Sequence, residues 1–246
     1  MDNTLYVGLS RQMTLRREFD LLANNIANAD TVGFKVESLM LDDQPERPKA
    51  PRGGMQSPIH FVMDKGVARD FGQGALRPTG APLDMAVAGD GFFQIASPEG
   101  ARFTRDGQFT TDAEGRLTTQ AGDPVMSDSG SEIVLDMSKG PPKIAEDGTV
   151  SQGAQVLGRV GVYRFADLAA LSKEGDSLYS NTSNLQPEQA NDAKVVQGSV
   201  EGSNVQTILQ MTRLIEVSRA YESTAKMIDS VGSLASQSVQ RLGRVQ

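Results

Sequence analysis

At 246 residues the chain can hold one large domain or two small ones, and 38% apolar residues, 25 glycines and no tryptophan suit a turn-rich β protein better than an enzyme with a deep core. The net charge is −7, with the acidic excess confined to residues 36–202 and both ends near neutral, which argues against a nucleic-acid-binding surface. The absence of cysteine excludes disulfides, thiolate metal sites and cysteine nucleophiles.

The first element is helical, from about Thr4 to Asn28. Leu5, Leu9 and Met13 lead into Leu15, Phe19, Leu22 and Ile26, whose 4, 3, 4 spacing is heptad-like. This helix ends oddly, in "LLANNIANADTVGFK" (21–35), where asparagine replaces the Glu and Lys expected on a wet face. Asn24 and Asn28 fall about 200° around the helix from Leu22 and Ile26, so that side is read as covered by another helix or a lumen. Gly33 then turns the chain away. The charged residues from Asp2 to Asp20 interrupt any apolar run of the kind a secretory signal carries.

Residues 36–82 read as an extended, Pro/Gly-rich connector, because "QPERPKAPRGG" (44–54) cannot be helical. From 83 to 202 the pattern is β. Two apolar runs flank Gly89-Asp90-Gly91, and Asp106-Gly107, Glu114-Gly115 and Asp147-Gly148 are expected to supply the positive φ of tight turns. Short strands with such turns predict an all-β middle domain, irregular and sandwich- or barrel-like.

The last segment, 203–246, is helical from Val205 to about Leu242, with Ser203-Asn204 as an N-cap. Leu214, Val217, Tyr221, Ile228 and Val231 belong to one stripe of alternating 3 and 4 spacing. The predicted architecture is α+β: a β domain inserted between two terminal, coiled-coil-forming helices that pack on each other. The longer stripe overruns the shorter helix by about 20 Å, which calls for contacts with other chains. Leu15, Phe19, Leu22, Ile26, Leu214, Val217, Tyr221, Ile228 and Val231 are therefore read as subunit-packing residues.

No catalytic constellation emerges. His60 is the sole histidine and has no nucleophile elbow beside it. Gly89-Asp90-Gly91 opens no helix and is not a dinucleotide fingerprint. "DAEG" (112–115) and "DSGSE" (128–132) lack the full ligand pattern of a calcium loop. The expectation is no enzyme, no cofactor and no metal.

Four stretches occur together and in order: "LLANNIANADTVGFK", "GDGFFQI" (89–95), "FTRDGQFTTDAEGRLTTQAGDPV" (103–125), and "QGSVEGSNV" (197–205) leading into "LIEVSRAYESTAKMI" (214–228). This set resembles the bacterial flagellar rod and hook proteins, with Asn24, Asn25, Asn28, Gly33, Phe34, Gly89, Asp90, Gly91, Phe92 and Phe93 as motif positions. The opening "MDNTLYVGLSRQM" is most similar to proximal-rod members, with the distal-rod type as the alternative. The resemblance implies a structural subunit of the basal-body rod in the periplasmic space, polymerising helically for motility, with its β domain facing outward. Its implied partners are copies of itself, other rod subunits and the flagellar type III export apparatus, without a cleaved signal. It implies no nucleic acid, no membrane insertion and no small-molecule substrate. An extracellular β-rich adhesion module is the reading from a different class, and an enzyme is a third.

Overall fold

The computed structural model describes residues 2–46, 59–183 and 185–242. The architecture is α+β: helix α1 (Asp2–Ala27), a β-rich middle region divided among several sheets, and helix α2 (Thr207–Leu242). The chain divides into two compact units. One comprises residues 1–27, 37–69 and 206–246; the other comprises 28–36 and 70–205.

In the helical unit, α1 lies against α2 and against a long hairpin of β1 (Glu37–Glu46) and β2 (Ile59–Arg69). The two strands are antiparallel, with Glu37 opposite Arg69. Their register shifts at the Met40–Leu41 step, opposite Gly66, which takes a φ of +124°. This part of the expected connector is extended but paired. The prolines masked that: strand partners separated by a Pro-rich stretch give no tight-turn signal between them. Most of the Pro-rich run, residues 47–54, lies outside the described residues.

In the β-rich unit the largest sheet has six antiparallel strands, in the order Leu171–Gly175, Leu178–Asn181, Gly100–Thr104, Phe92–Ser97, Val162–Arg164 and Glu188–Gln189. Adjacent residues of a strand face opposite sides. Phe93 accordingly enters a large core with Met85, Val87, Ile95 and Phe109, while Phe92 enters a second one with Phe103, Leu171 and Tyr179. The second core is aromatic, with Phe71 and Phe165 edge-on to Phe92 at centroid distances of 5.5 and 5.7 Å.

Turn chemistry separates the three expected acid–glycine pairs. Gly115 and Gly148 have φ of +83° and +85° at hairpin turns, as expected. Gly107 does not adopt positive φ and joins no hairpin. A Cβ there would lie 1.5 Å from the Met85 carbonyl oxygen, so this glycine answers a close backbone approach. Ser203-Asn204 does not cap α2, which begins at Thr207; Asn204 uses its side chain within the β-rich unit.

Candidate assembly surface and motif core

Part of the two stripes packs within the helical pair. Leu15, Leu22 and Val217 are buried against one another within the chain, with Leu214, Ala220 and Tyr221 packed around them. Gly8 lets the helices close up near Ile228, since a Cβ at that position would meet Ile228 Cγ1 at 3.0 Å. Arg213 bridges the helices to Glu18 at 2.9 Å, an exposed pair worth about 0–1 kcal/mol that aids register more than stability. Ile26, Ile228 and Val231 are half-buried, and Phe19 is exposed.

A different apolar set faces water. Tyr6, Leu9 and Met13 on α1 follow 3, 4 spacing, as do Ile208, Met211 and Ile215 on α2. Ile208 is 80% exposed, Met13 67% and Tyr6 65%. Leu209, Met227 and Leu234 are exposed as well. Fully burying a side chain of this kind gains about 1.5–3 kcal/mol. The signal of this set was present in the sequence, at a helical phase different from that of the Leu214 stripe.

The motif residues turn inward. Asn25 is fully buried in the helical unit. Its Nδ2 donates to the Glu37 carbonyl at 2.7 Å and to Gln210 Oε1 at 3.2 Å, while its Oδ1 accepts from the Glu37 N–H at 3.0 Å. One amide thus pairs with the start of β1 as a peptide group would and also holds α2. Asn24, singled out from the sequence, is exposed; Asn28 is half-buried and accepts from Thr31 Oγ1 at 3.1 Å. Asn25 was named from the sequence only as a motif position, and the opposite-face argument was applied to Asn24 and Asn28 instead. It follows Leu22 by three positions, about 300° around the helix, on the flank of the apolar stripe.

In the β-rich unit the residues after the helix build a buried charge cluster. Gly33 has φ of +67°, and a Cβ there would lie 2.4 Å from the Asp106 nitrogen. Phe34 is buried under the Lys173 ammonium, 4.5 Å from the ring centre. Lys35, Arg105 and Glu201 are 1%, 3% and 1% exposed. Lys35 Nζ meets Glu201 Oε1 at 2.6 Å and the Gly72 carbonyl at 2.8 Å. Arg105 Nη1 meets Glu201 Oε2 at 3.1 Å. Burial pushes the Lys35 ammonium below the usual lysine range, and Glu201 offsets part of that. Asn204 closes the arrangement, accepting from Val36 N–H at 2.8 Å and donating to the Asp70 and Gly72 carbonyls.

The remaining motif positions support the same unit. Gly89 and Asp90 are exposed; Gly91, with φ of +145°, packs so closely on Val162 that a Cβ would fall 2.6 Å from Cγ1. A cavity of about 400 Å³ is walled by Thr31, Thr104, Asp106, Gln120, Asp176 and Ser177. Its polar groups are hydroxyls, amides and carboxylates beside the apolar Ala121 and Leu178, and burial with the nearby Asp84 charge raises the Asp106 pKa while the Gln108 N–H opposes the shift. His60 lies in β2, with its side chain outside the described residues. Among the described residues no cluster of three or more His, Asp or Glu could hold a metal ion, and no helix is long and apolar enough to cross a membrane.

Comparison with known proteins places these features. Residues 5–35 match the family model described as flagella basal body rod protein, 86–152 the FlgE/F/G hook protein D1 domain, and 196–241 the FlgEFG basal body rod protein C-terminal region. The flagellar basal-body rod protein FlgF of Caulobacter vibrioides is 53% identical over 245 residues, covering 100% of both chains. The chain belongs to the flagellar basal-body rod protein family. The FlgF of Mesorhizobium japonicum is 36% identical over 99% of each chain, and the FlgG rod protein of Bacillus subtilis is 30% identical over 93% of this chain and 94% of its own. Each of the three rod-family segments contributes one member of the buried cluster: Lys35, Arg105 and Glu201.

Proposed function

We propose that this chain is a FlgF-type subunit of the flagellar rod, polymerising through its terminal helices with copies of itself and with other rod subunits. The observation that carries the reading is the exposed apolar spacing on each terminal helix, Tyr6, Leu9 and Met13 on α1 and Ile208, Met211 and Ile215 on α2, in a family of rod proteins. Contacts in which one face of a subunit meets a different face of the next leave an open end, which is what a growing axial structure needs. On this reading segments 1–35 and 203–246 line the rod core. Leu15, Phe19, Leu22, Ile26, Leu214, Val217, Tyr221, Ile228 and Val231 form the framework that holds the exposed stripe in place and meets neighbours at its edges. The rod stands in the periplasmic space, and the subunit reaches it through the flagellar type III apparatus.

The test replaces Ile208 and Ile215 together by Asp in cells whose own copy carries the change. The variant should be exported and keep its fold, yet be missing from purified basal bodies, and the cells should be non-motile. Normal rods would overturn the proposal, as would export independent of the flagellar secretion apparatus. Immunogold labelling of isolated basal bodies places the subunit; proximal label supports the FlgF type and distal label the FlgG type.

A further inference from the structure

The buried cluster holds two cations, Lys35 and Arg105, against one carboxylate, Glu201. Beside it lies a cavity of about 140 Å³ in the β-rich unit, walled by Phe71, Phe92, Phe165, Arg105, Arg164 and Leu168. That is several times the roughly 30 Å³ that a water occupies in the liquid. Arg105 Nη1 is engaged by Glu201 and its Cζ sits 5.0 Å over the Phe92 ring, but its Nε–H has no hydrogen-bond partner among the described residues. A buried, charged donor left unmatched is costly, and an ionised acceptor matches it best.

The cavity mouth does not supply that acceptor. Asp90 also borders the cavity but is exposed, and it is its carbonyl that accepts from Arg164 Nε. The Arg164 charge is met by Asp192 at 2.8 Å. The exposed Asp70 carboxylate also acts on the Lys35 charge, so what stays unmatched at the cavity wall is the Arg105 Nε–H, while the three phenylalanine rings offer apolar contact to whatever stands beside it.

We propose that this cavity is a binding site for a carboxylate on a short apolar stem. The carboxylate accepts from Arg105 Nε, balances the second cation of the cluster, and lays its methylenes against Phe71, Phe92 and Phe165. A small free acid and a glutamate side chain of another protein share this chemistry. The inference stands independently of the rod reading, because it rests on residues of the β-rich unit alone.

The full-length protein, labelled with ¹⁵N, is titrated with sodium propionate at ionic strength held constant with sodium chloride, following the Arg105 Nε–H resonance. A second arm uses the blocked peptide Gly-Glu-Gly, with Gly-Gln-Gly as its control. The expected result is a saturable shift with propionate, weakened about tenfold or more in Leu168→Trp, which fills the mouth without touching the charge cluster. Binding of Gly-Glu-Gly tighter than propionate assigns the site to an acidic side chain; binding of propionate alone assigns it to a free acid. No saturable shift with either probe, or the same shift with chloride or Gly-Gln-Gly, overturns the proposal.

Discussion

Charge counting in the buried cluster predicts a sharp asymmetry between two single substitutions. Glu201→Gln keeps the size and an acceptor but leaves Lys35 and Arg105, both almost fully buried, without an anion. Stranding buried charge in this way costs about 3–5 kcal/mol. Lys35→Met removes a cation instead. Glu201 keeps Arg105 at 3.1 Å and the Gly74 N–H at 2.8 Å, and the Gly72 carbonyl keeps the Asn204 amide at 3.1 Å. No polar group is orphaned, and the charge becomes balanced, so the change should lie within about 1 kcal/mol of wild type. The double variant should recover part of the Glu201→Gln loss, by about 1–2 kcal/mol, because the two sites are in contact. Urea unfolding of the full chain followed by near-UV circular dichroism reads the aromatic core around Tyr179, with no tryptophan to dominate the signal. With slopes of about 1–3 kcal/mol per molar urea, Glu201→Gln should lower the midpoint by roughly 1–5 M at unchanged slope. Lys35→Met proving as costly as Glu201→Gln would refute the reasoning, since pair geometry rather than charge balance would then hold the cluster.

Two further outcomes follow from single side chains. Asn25→Ala removes the amide bonds to the Glu37 N–H and carbonyl, worth about 1–3 kcal/mol each, so exchange of the Glu37 amide with solvent deuterium should accelerate by tenfold or more. Asn25→Asp should be worse near neutral pH and milder in acid, since one carboxylate oxygen would face the Glu37 carbonyl; equal exchange in all three proteins contradicts the peptide-like role of the amide. Asp106 has a carboxyl whose pKa is raised above 3.8 by burial, so the folded state binds more protons than the unfolded state in the window above 3.8, and stability falls as pH rises through it. Asp106→Asn removes that slope while keeping an acceptor for the Gln108 N–H. Its stability advantage over wild type in urea melts should open as pH rises through that window; a gap independent of pH would count against a buried, raised carboxyl.

The helices were legible in the sequence because a 3, 4 repeat is local: each residue reports the same face as the one a turn away. The β-rich region was legible through its turns, and Gly115 and Gly148 behaved as tight-turn glycines should. Gly107 looked the same in sequence but answers the Met85 carbonyl, a constraint from a strand 22 positions earlier in the chain that no dipeptide pattern records. Distance along the chain also hid the charge cluster, whose members are 166 and 96 residues from Glu201. Lys35 and Arg105 each sat inside a stretch quoted for the resemblance, yet nothing local showed that both would lose water and share one carboxylate.

That convergence divides the rod family's sequence features into two kinds. Asn25, Gly33, Phe34, Lys35, Phe92, Arg105 and Glu201 are buried, or in the case of Gly33 hemmed in by backbone, so they hold each unit together, with Arg105 and Phe92 also lining the small cavity of the β-rich unit. A subunit that must join others needs surface as well as fold; on the helices exposed apolar side chains lie at Tyr6, Leu9, Met13, Ile208, Met211 and Ile215, and in the β-rich unit at Met137, Val156 and Leu185. A change in the buried set should damage folding whatever the neighbour. A change in the exposed stripe should instead leave the isolated chain intact and alter which subunits it joins. The choice between a proximal and a distal place in the rod is therefore expected to follow the exposed stripe, and exchanging the six helical side chains for the ones at the same positions in a FlgG-type relative should move the subunit along the rod without unfolding it. Unchanged placement after that exchange, with rods still assembled, would assign the choice of neighbour to surface outside the two helices.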